Sequence, residues 1–177
     1  MEAMEMIYGR RSIRGYEERE IPQEVLDEVF AATMMAPSWK NSQTASYVVV
    51  QSPEMREKVL SALPPFNYGN AKNAPVIVVM TTMHGRSGYD KDGTPSTQKG
   101  DKWEIFDAGI ACQTLCLAAY AQGLGTCIMG IYDEDKLPQI LELSEDEIVT
   151  AVIPMGYPAV DPAAPKRKTV EEKVRYV

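Results

Sequence analysis

The 177 residues suffice for one domain, here read as a single unit over 1–177, and a composition of 45% hydrophobic and 24% charged residues excludes both disorder and a disulfide-dependent scaffold. The 18 Lys and Arg against 25 Asp and Glu give a net charge of −7, which repels a polyphosphate backbone and excludes nucleic acid as a general partner. Three cysteines without a Cys-x-x-Cys pair, no basic-then-apolar leader and no unbroken apolar stretch of membrane-spanning length point to a cytoplasmic, reducing setting without export or membrane insertion.

The chain opens with a short helix over Met1 to Gly9, followed directly by the basic cluster Arg10, Arg11 and Arg14. Pro22 suits the first turn of a helix carrying Val25, Leu26, Val29 and Phe30, which stops before Pro37. Tyr47 to Val50 is a strand, and a helix from Pro53 to about Leu63 is closed by Pro64 and Pro65. A second strand covers Val76 to Met80. Both strands are apolar on consecutive residues, as expected when helices cover both faces of the sheet.

His84 to Lys102, with four glycines and one proline, reads as a long functional loop. Trp103 to Ala121 is a helix apolar on all sides, which implies burial all round and a second subunit on the face that its own domain does not reach. Gly123 to Gly125 ends that helix, and Thr126 to Ile131 is extended. Asp133 caps a helix reaching about Leu141, and Ile148 to Met155 is a last central strand. Pro158, Pro162 and Pro165 then keep the tail out of a local core and leave it to dock elsewhere.

Nucleophilic and metal chemistry lack their usual residues. The only histidine, His84, falls in the loop, and Cys112 and Cys116, one helical turn apart, have no second pair and read as small core residues. Gly123-x-Gly125 with Gly130 fails the dinucleotide spacing and follows a helix where a strand is required. What remains for an anion is Arg10-Arg11-Ser12-Ile13-Arg14, whose guanidinium forks match phosphate oxygens, together with Lys166, Arg167 and Lys168 near the end.

Arg10 to Arg14, then Ala36-Pro37-Ser38-Trp39-Lys40-Asn41-Ser42-Gln43, resemble the nitroreductase family. So do Asn73 to Val79, Ala119 to Gly130, Ile153 to Pro158 and Pro165 to Lys168, six pieces in order over nearly the whole chain. The resemblance implies an α+β fold, a three-layer α/β/α sandwich with a mixed central sheet, in an intertwined homodimer with FMN at the subunit interface. Arg10, Arg11 and Arg167 would then hold the FMN phosphate, with Ser12 and Arg14 beside the ribityl chain and the pyrimidine edge. Pro37, Ser38 and Asn41 would line the site from the other subunit, and Asn70 would be a further polar contact. Met129 and Gly130 would lie against the reactive edge, where a backbone N–H meets flavin N5.

On this reading the flavin passes reducing equivalents from NAD(P)H to an electron-poor acceptor, such as a nitro compound or a quinone, by a ping-pong mechanism, and no protein nucleophile is needed. Two alternatives on the same fold are an FMN-dependent dehydrogenase of another substrate and a slow flavin-binding or sensing module. The chain also departs from the family pattern. Thr44 and Ala45 follow Gln43 where Pro-Trp is common, and Met129 stands where several nitro-reducing members carry a glutamate.

Overall fold

The computed structural model describes residues 2–177, so Met1, the first residue of the expected N-terminal helix, lies outside the described residues. That helix, α1, covers Ala3–Gly9. Helix α2 covers Gln23–Thr33, with Pro22 in the capping position just outside the first turn. Strand β1 is Ala45–Val50, and helix α3, Pro53–Leu60, is capped by the Ser52 hydroxyl, which accepts the Met55 N–H.

Pro64 and Pro65 do not merely end α3. Pro64 caps, and Pro65 opens, an unexpected helix α4 over Pro65–Ala71, because a proline at the first helical position gives up an N–H that has no intrahelical partner anyway. Strand β2 runs Val76–Met83, three residues beyond its apolar run, and helix α5 covers Lys102–Ala121. Two-residue β3 (Gly125–Thr126), α6 (Lys136–Ile140), β4 (Glu147–Gly156) and a short tail helix α7 (Val170–Lys173) complete the chain.

The sheet order is β1-β2-β4-β3, and every ladder between these strands is antiparallel. The mixed sheet expected from the resemblance is therefore corrected for the described residues: the parallel element is the isolated bridge between Ser12 and Thr126. The reason lies in the connections, since none of them returns a strand beside its neighbour in the same direction.

Alternation along β2 divides the interior in two. Val76, Val78 and Met80 face a core made with Leu26 and Val29 of α2 and Ala111, Leu115 and Ala119 of α5. Ile77 and Val79 face a second core with Val59 and Leu60 of α3, Ala71 of α4 and Leu137 of α6. The result is the expected three-layer α/β/α sandwich. A bulge between Met80 and Thr81 shifts the register on β4, so Val149 and Val152, three residues apart, both reach the second core.

The first core leaves one stripe of α5 uncovered. Ile105 and Phe106 are each 59% exposed, and Gly109 and Gln113 continue the same line at helical spacing. The outer edge of β1 likewise has no strand partner among the described residues.

The segment after α1 is tied to the sheet. The Ile13 N–H donates to the Thr126 carbonyl at 2.9 Å, and the buried Tyr16 hydroxyl lies 2.8 Å from the Ile13 carbonyl and 3.1 Å from that of Pro154. Burial pushes the Tyr16 phenol upward, so it stays a donor across the working pH range. Gly125 makes this packing possible: a Cβ there would sit 2.5 Å from Ile13 Cγ1 and 2.8 Å from Ile13 Cβ. Gly125→Ala is therefore expected to cost about 1–3 kcal/mol by overpacking, lowering the melting temperature of the apoprotein by several degrees in a thermal melt. An unchanged melt would mean that Ile13 is not held where the structure puts it.

Candidate functional site

The segment fixed by Ile13 and Tyr16 carries Arg10, Arg11, Ser12 and Arg14, and these four line one face of a cavity of about 330 Å³. The other face is Pro162, Ala163, Pro165 and Arg167 of the tail. Two basic clusters more than 150 residues apart in sequence thus meet around one space. Four guanidinium groups line it and no carboxylate does.

None of the four arginines takes part in an ion pair among the described residues. Arg11 Nη1 donates to the carbonyls of Tyr8 and Arg10 at 2.6 and 2.9 Å, which caps α1 and fixes the direction of its fork. The field of the cluster reaches the core nearby: burial pushes the Cys127 thiol up, and Arg14 and Arg10 pull it partly back. All three cysteines are free and buried, and Cys112 and Cys116 belong to the first core, as their spacing suggested.

Beyond β3 the backbone crosses to β4 through a bridge at Met129, whose N–H and carbonyl both pair with Val152 at 2.9 Å. Met129 is buried by this pairing, so its own N–H is not available to a ligand. The next residue is different. Gly130 is exposed, its N–H has no backbone acceptor among the described residues, and a Cβ built on it would meet nothing within 4 Å. Nor is its φ positive, so neither strain nor crowding inside the chain calls for a glycine at this place.

A residue that sequence reasoning missed holds the backbone just beyond Gly130. Asn67 of α4 is buried, and its Nδ2 donates to the Ile131 carbonyl at 3.0 Å. Asn70, half-buried one turn further on the same helix, shares that face and so lies on the side of Gly130 and Ile131. No periodicity signals a contact of this kind, since Asn67 sits in a segment without a clear apolar stripe.

Pro37 and Ser38 line a separate, smaller cleft of about 100 Å³ with Gln43, Thr44, Tyr47 and Asp107, and this cleft shares no lining residue with the arginine cavity. The turn between them is unusual. Lys40, Asn41 and Gln43 have φ of 45°, 55° and 49°, left-handed values that cost non-glycine residues on the order of 1–3 kcal/mol each. Gln43 N–H donates to the Ser38 hydroxyl at 2.9 Å, and the Trp39 N–H donates to Asp107 Oδ2 at 2.8 Å. Exposed Asn41 projects from this turn, and the buried Thr44 hydroxyl in the cleft has no partner among the described residues.

The loop after β2 is ordered by short turns. Ser96 N–H bonds the Gly88 carbonyl at 2.8 Å and Asp90 N–H the Thr94 carbonyl at 2.9 Å. Two buried carboxylates of α5 hold its beginning: Glu104 accepts the Gly85 N–H at 2.7 Å and faces His84 Nδ1 at 3.2 Å, and Asp107 accepts the Ser87 hydroxyl at 2.5 Å. Trp103 packs against Trp39 at 4.6 Å and Phe106 at 5.4 Å between ring centroids, and its indole N–H donates to Thr97, so its ring is occupied within the chain.

Among the described residues no group of three or more His, Cys, Asp or Glu is arranged to hold a metal ion, and no helix is long and apolar enough to cross a membrane.

The sequence profile of the nitroreductase family matches residues 7–64 and 60–157. A Methanothermobacter thermautotrophicus protein, provisionally named NADH dehydrogenase/NAD(P)H nitroreductase, is 34% identical over 167 residues, covering 92% of this chain and 80% of its own. FMN reductase [NAD(P)H] of Bacillus subtilis is 28% identical over 186 residues, with 99% of this chain and 73% of that protein covered. A crystal structure of a nitroreductase family protein from Clostridium novyi superposes with a TM-score of 0.77 at 27% identity, covering 89% of this chain and 86% of that one. The chain belongs to the nitroreductase family.

Proposed function

We propose that the protein is an FMN-dependent NAD(P)H oxidoreductase that works as a homodimer and reduces an electron-poor acceptor, such as a nitro compound or a quinone. The observation that carries this reading is the arginine cavity. Four like charges converge without a carboxylate in a chain of net charge −7, an arrangement that repels itself until a dianion such as a flavin phosphate enters. FMN is the cofactor that fits, and the Bacillus subtilis relative bears FMN and NAD(P)H in its name.

Arg10, Arg11 and Arg167 hold the phosphate, and Ser12 and Arg14 face the ribityl chain and the pyrimidine edge. Gly130, whose N–H has no backbone acceptor among the described residues and whose Cβ position is open, would face the reactive edge of the ring, with Met129 supporting it from the sheet. Asn70 adds a polar contact from α4. FMN held there would supply the redox chemistry, carrying reducing equivalents from NAD(P)H to the acceptor. The positive charge of Arg14 favours negative charge developing on the pyrimidine edge, the more so when water is excluded.

Pro37, Ser38 and Asn41 reach the flavin from a second copy of the chain. Three features support the homodimer: the apolar stripe of α5, the open outer edge of β1 and a tail without buried residues after Gly156.

The purified protein is expected to be yellow, to release FMN on denaturation, to bleach anaerobically with NAD(P)H and to give parallel double-reciprocal lines with a quinone such as menadione as acceptor. A colourless protein that takes up no added FMN and sediments as a single chain would overturn the reading.

A further inference from the structure

Asp107 is only 3% exposed, and its Oδ2 accepts two hydrogen bonds from distant parts of the chain. One comes from the backbone N–H of Trp39, inside the left-handed turn that carries Ser38 and Asn41, at 2.8 Å. The other comes from the hydroxyl of Ser87, itself fully buried at the start of the loop between β2 and α5, at 2.5 Å. A buried carboxylate with two donors is a strong acceptor, and removing either donor's partner leaves a desolvated group behind. Local strain at Lys40, Asn41 and Gln43 persists only where the surroundings over-determine it, and Asp107 supplies the hydrogen-bonded anchor from the rigid helix, beside the ring contact of Trp103 with Trp39.

We propose that Asp107 is a positioning residue which sets the Ser38–Asn41 turn and the 84–101 loop from a single carboxylate; because the loop lies against the turn proposed to face the cofactor, with Lys40 Nζ also 3.0 Å from Asp90 Oδ1, the junction keeps the loop at the side where an acceptor would enter. The part of this that concerns cofactor and acceptor rests on the flavin reading above; the junction itself does not. Glu104, one turn earlier, holds only the loop, through Gly85 and His84. Ser87 belongs to the loop branch alone, and Asp107 belongs to both. The two residues therefore separate the branches.

The test compares Asp107→Asn and Ser87→Ala with the wild-type holoprotein in FMN affinity, menadione KM and limited proteolysis within 84–101. Ser87→Ala frees the loop only: the KM for menadione rises several-fold, the loop is cut faster, and the Kd for FMN stays within twofold. Asp107→Asn raises both the KM and the FMN Kd, the latter about tenfold, and speeds loop cleavage as well. A general loss of packing would instead move Kd and KM alike in both variants and lower both melting temperatures. That outcome overturns the proposal, as does unchanged proteolysis in either variant. Loop cleavage needs no flavin, so it decides the junction even if the wild-type protein binds none, a result that would sink the flavin reading separately.

Discussion

Replacing Arg10 and Arg167 together with alanine is expected to raise the Kd for FMN by about a hundredfold, with the fold intact. Each arginine offers charge-assisted hydrogen bonds to phosphate, and a bond of that kind contributes roughly 1.5–3 kcal/mol. Arg10 is half-buried and Arg167 exposed, so the low end of that range applies to each. Two such losses are about 3 kcal/mol, or about two decades in affinity. Titration of FMN with protein, followed by quenching of flavin fluorescence, reads the change directly. The stability of the flavin-free protein should hold or rise, since the double replacement relieves repulsion among four converging charges. Affinity within threefold of the wild type would mean that the cavity holds something other than the phosphate.

Gly130→Val separates what the chain needs from what the reaction needs. Inside the chain the new side chain meets open space, and the backbone at Gly130 lies outside the left-handed region, so the apoprotein should melt within about a degree of the wild type, in line with surface substitutions generally. On the proposed flavin reading, the same side chain would occupy the approach to the reactive edge and push the N–H donor away. Loss of one donor aimed at a reacting centre costs about 10²–10³ in rate. The anaerobic bleaching rate with NAD(P)H should therefore fall about a hundredfold at saturating FMN. Bleaching at the wild-type rate would remove Gly130 from the reacting edge.

The parts of the fold and site that could be read in advance are those written in short-range patterns. Consecutive apolar residues in Val76 to Met80 announced a strand buried on both faces, and the two basic clusters stood out because the rest of the chain is acidic. The extension of β2 through Thr81 and Thr82 was not legible, because their burial depends on β4 and on the Glu147 carboxylate that accepts the Thr81 hydroxyl. Helix α4 was hidden by its two prolines, which read equally well as a stop and as a start. Asp107 lies inside the stretch read as a helix apolar on all sides, and nothing in its neighbours' pattern marks it out. Its role emerges only when Trp39 and Ser87, 68 and 20 residues before it, are brought to the same oxygen. Asn67 was silent for the same reason, since its acceptor is 64 residues away.

The tail that supplies Arg167 has no buried residue after Gly156, and its short helix α7 buries none of its side chains. Within a single chain, one wall of the arginine cavity is thus a strap whose lifting leaves both cores packed, at a free-energy cost far below that of global unfolding. If a second copy supplies the missing anchor, the grip on an anion depends on pairing of the subunits, and dilution to single chains loosens it before either core opens.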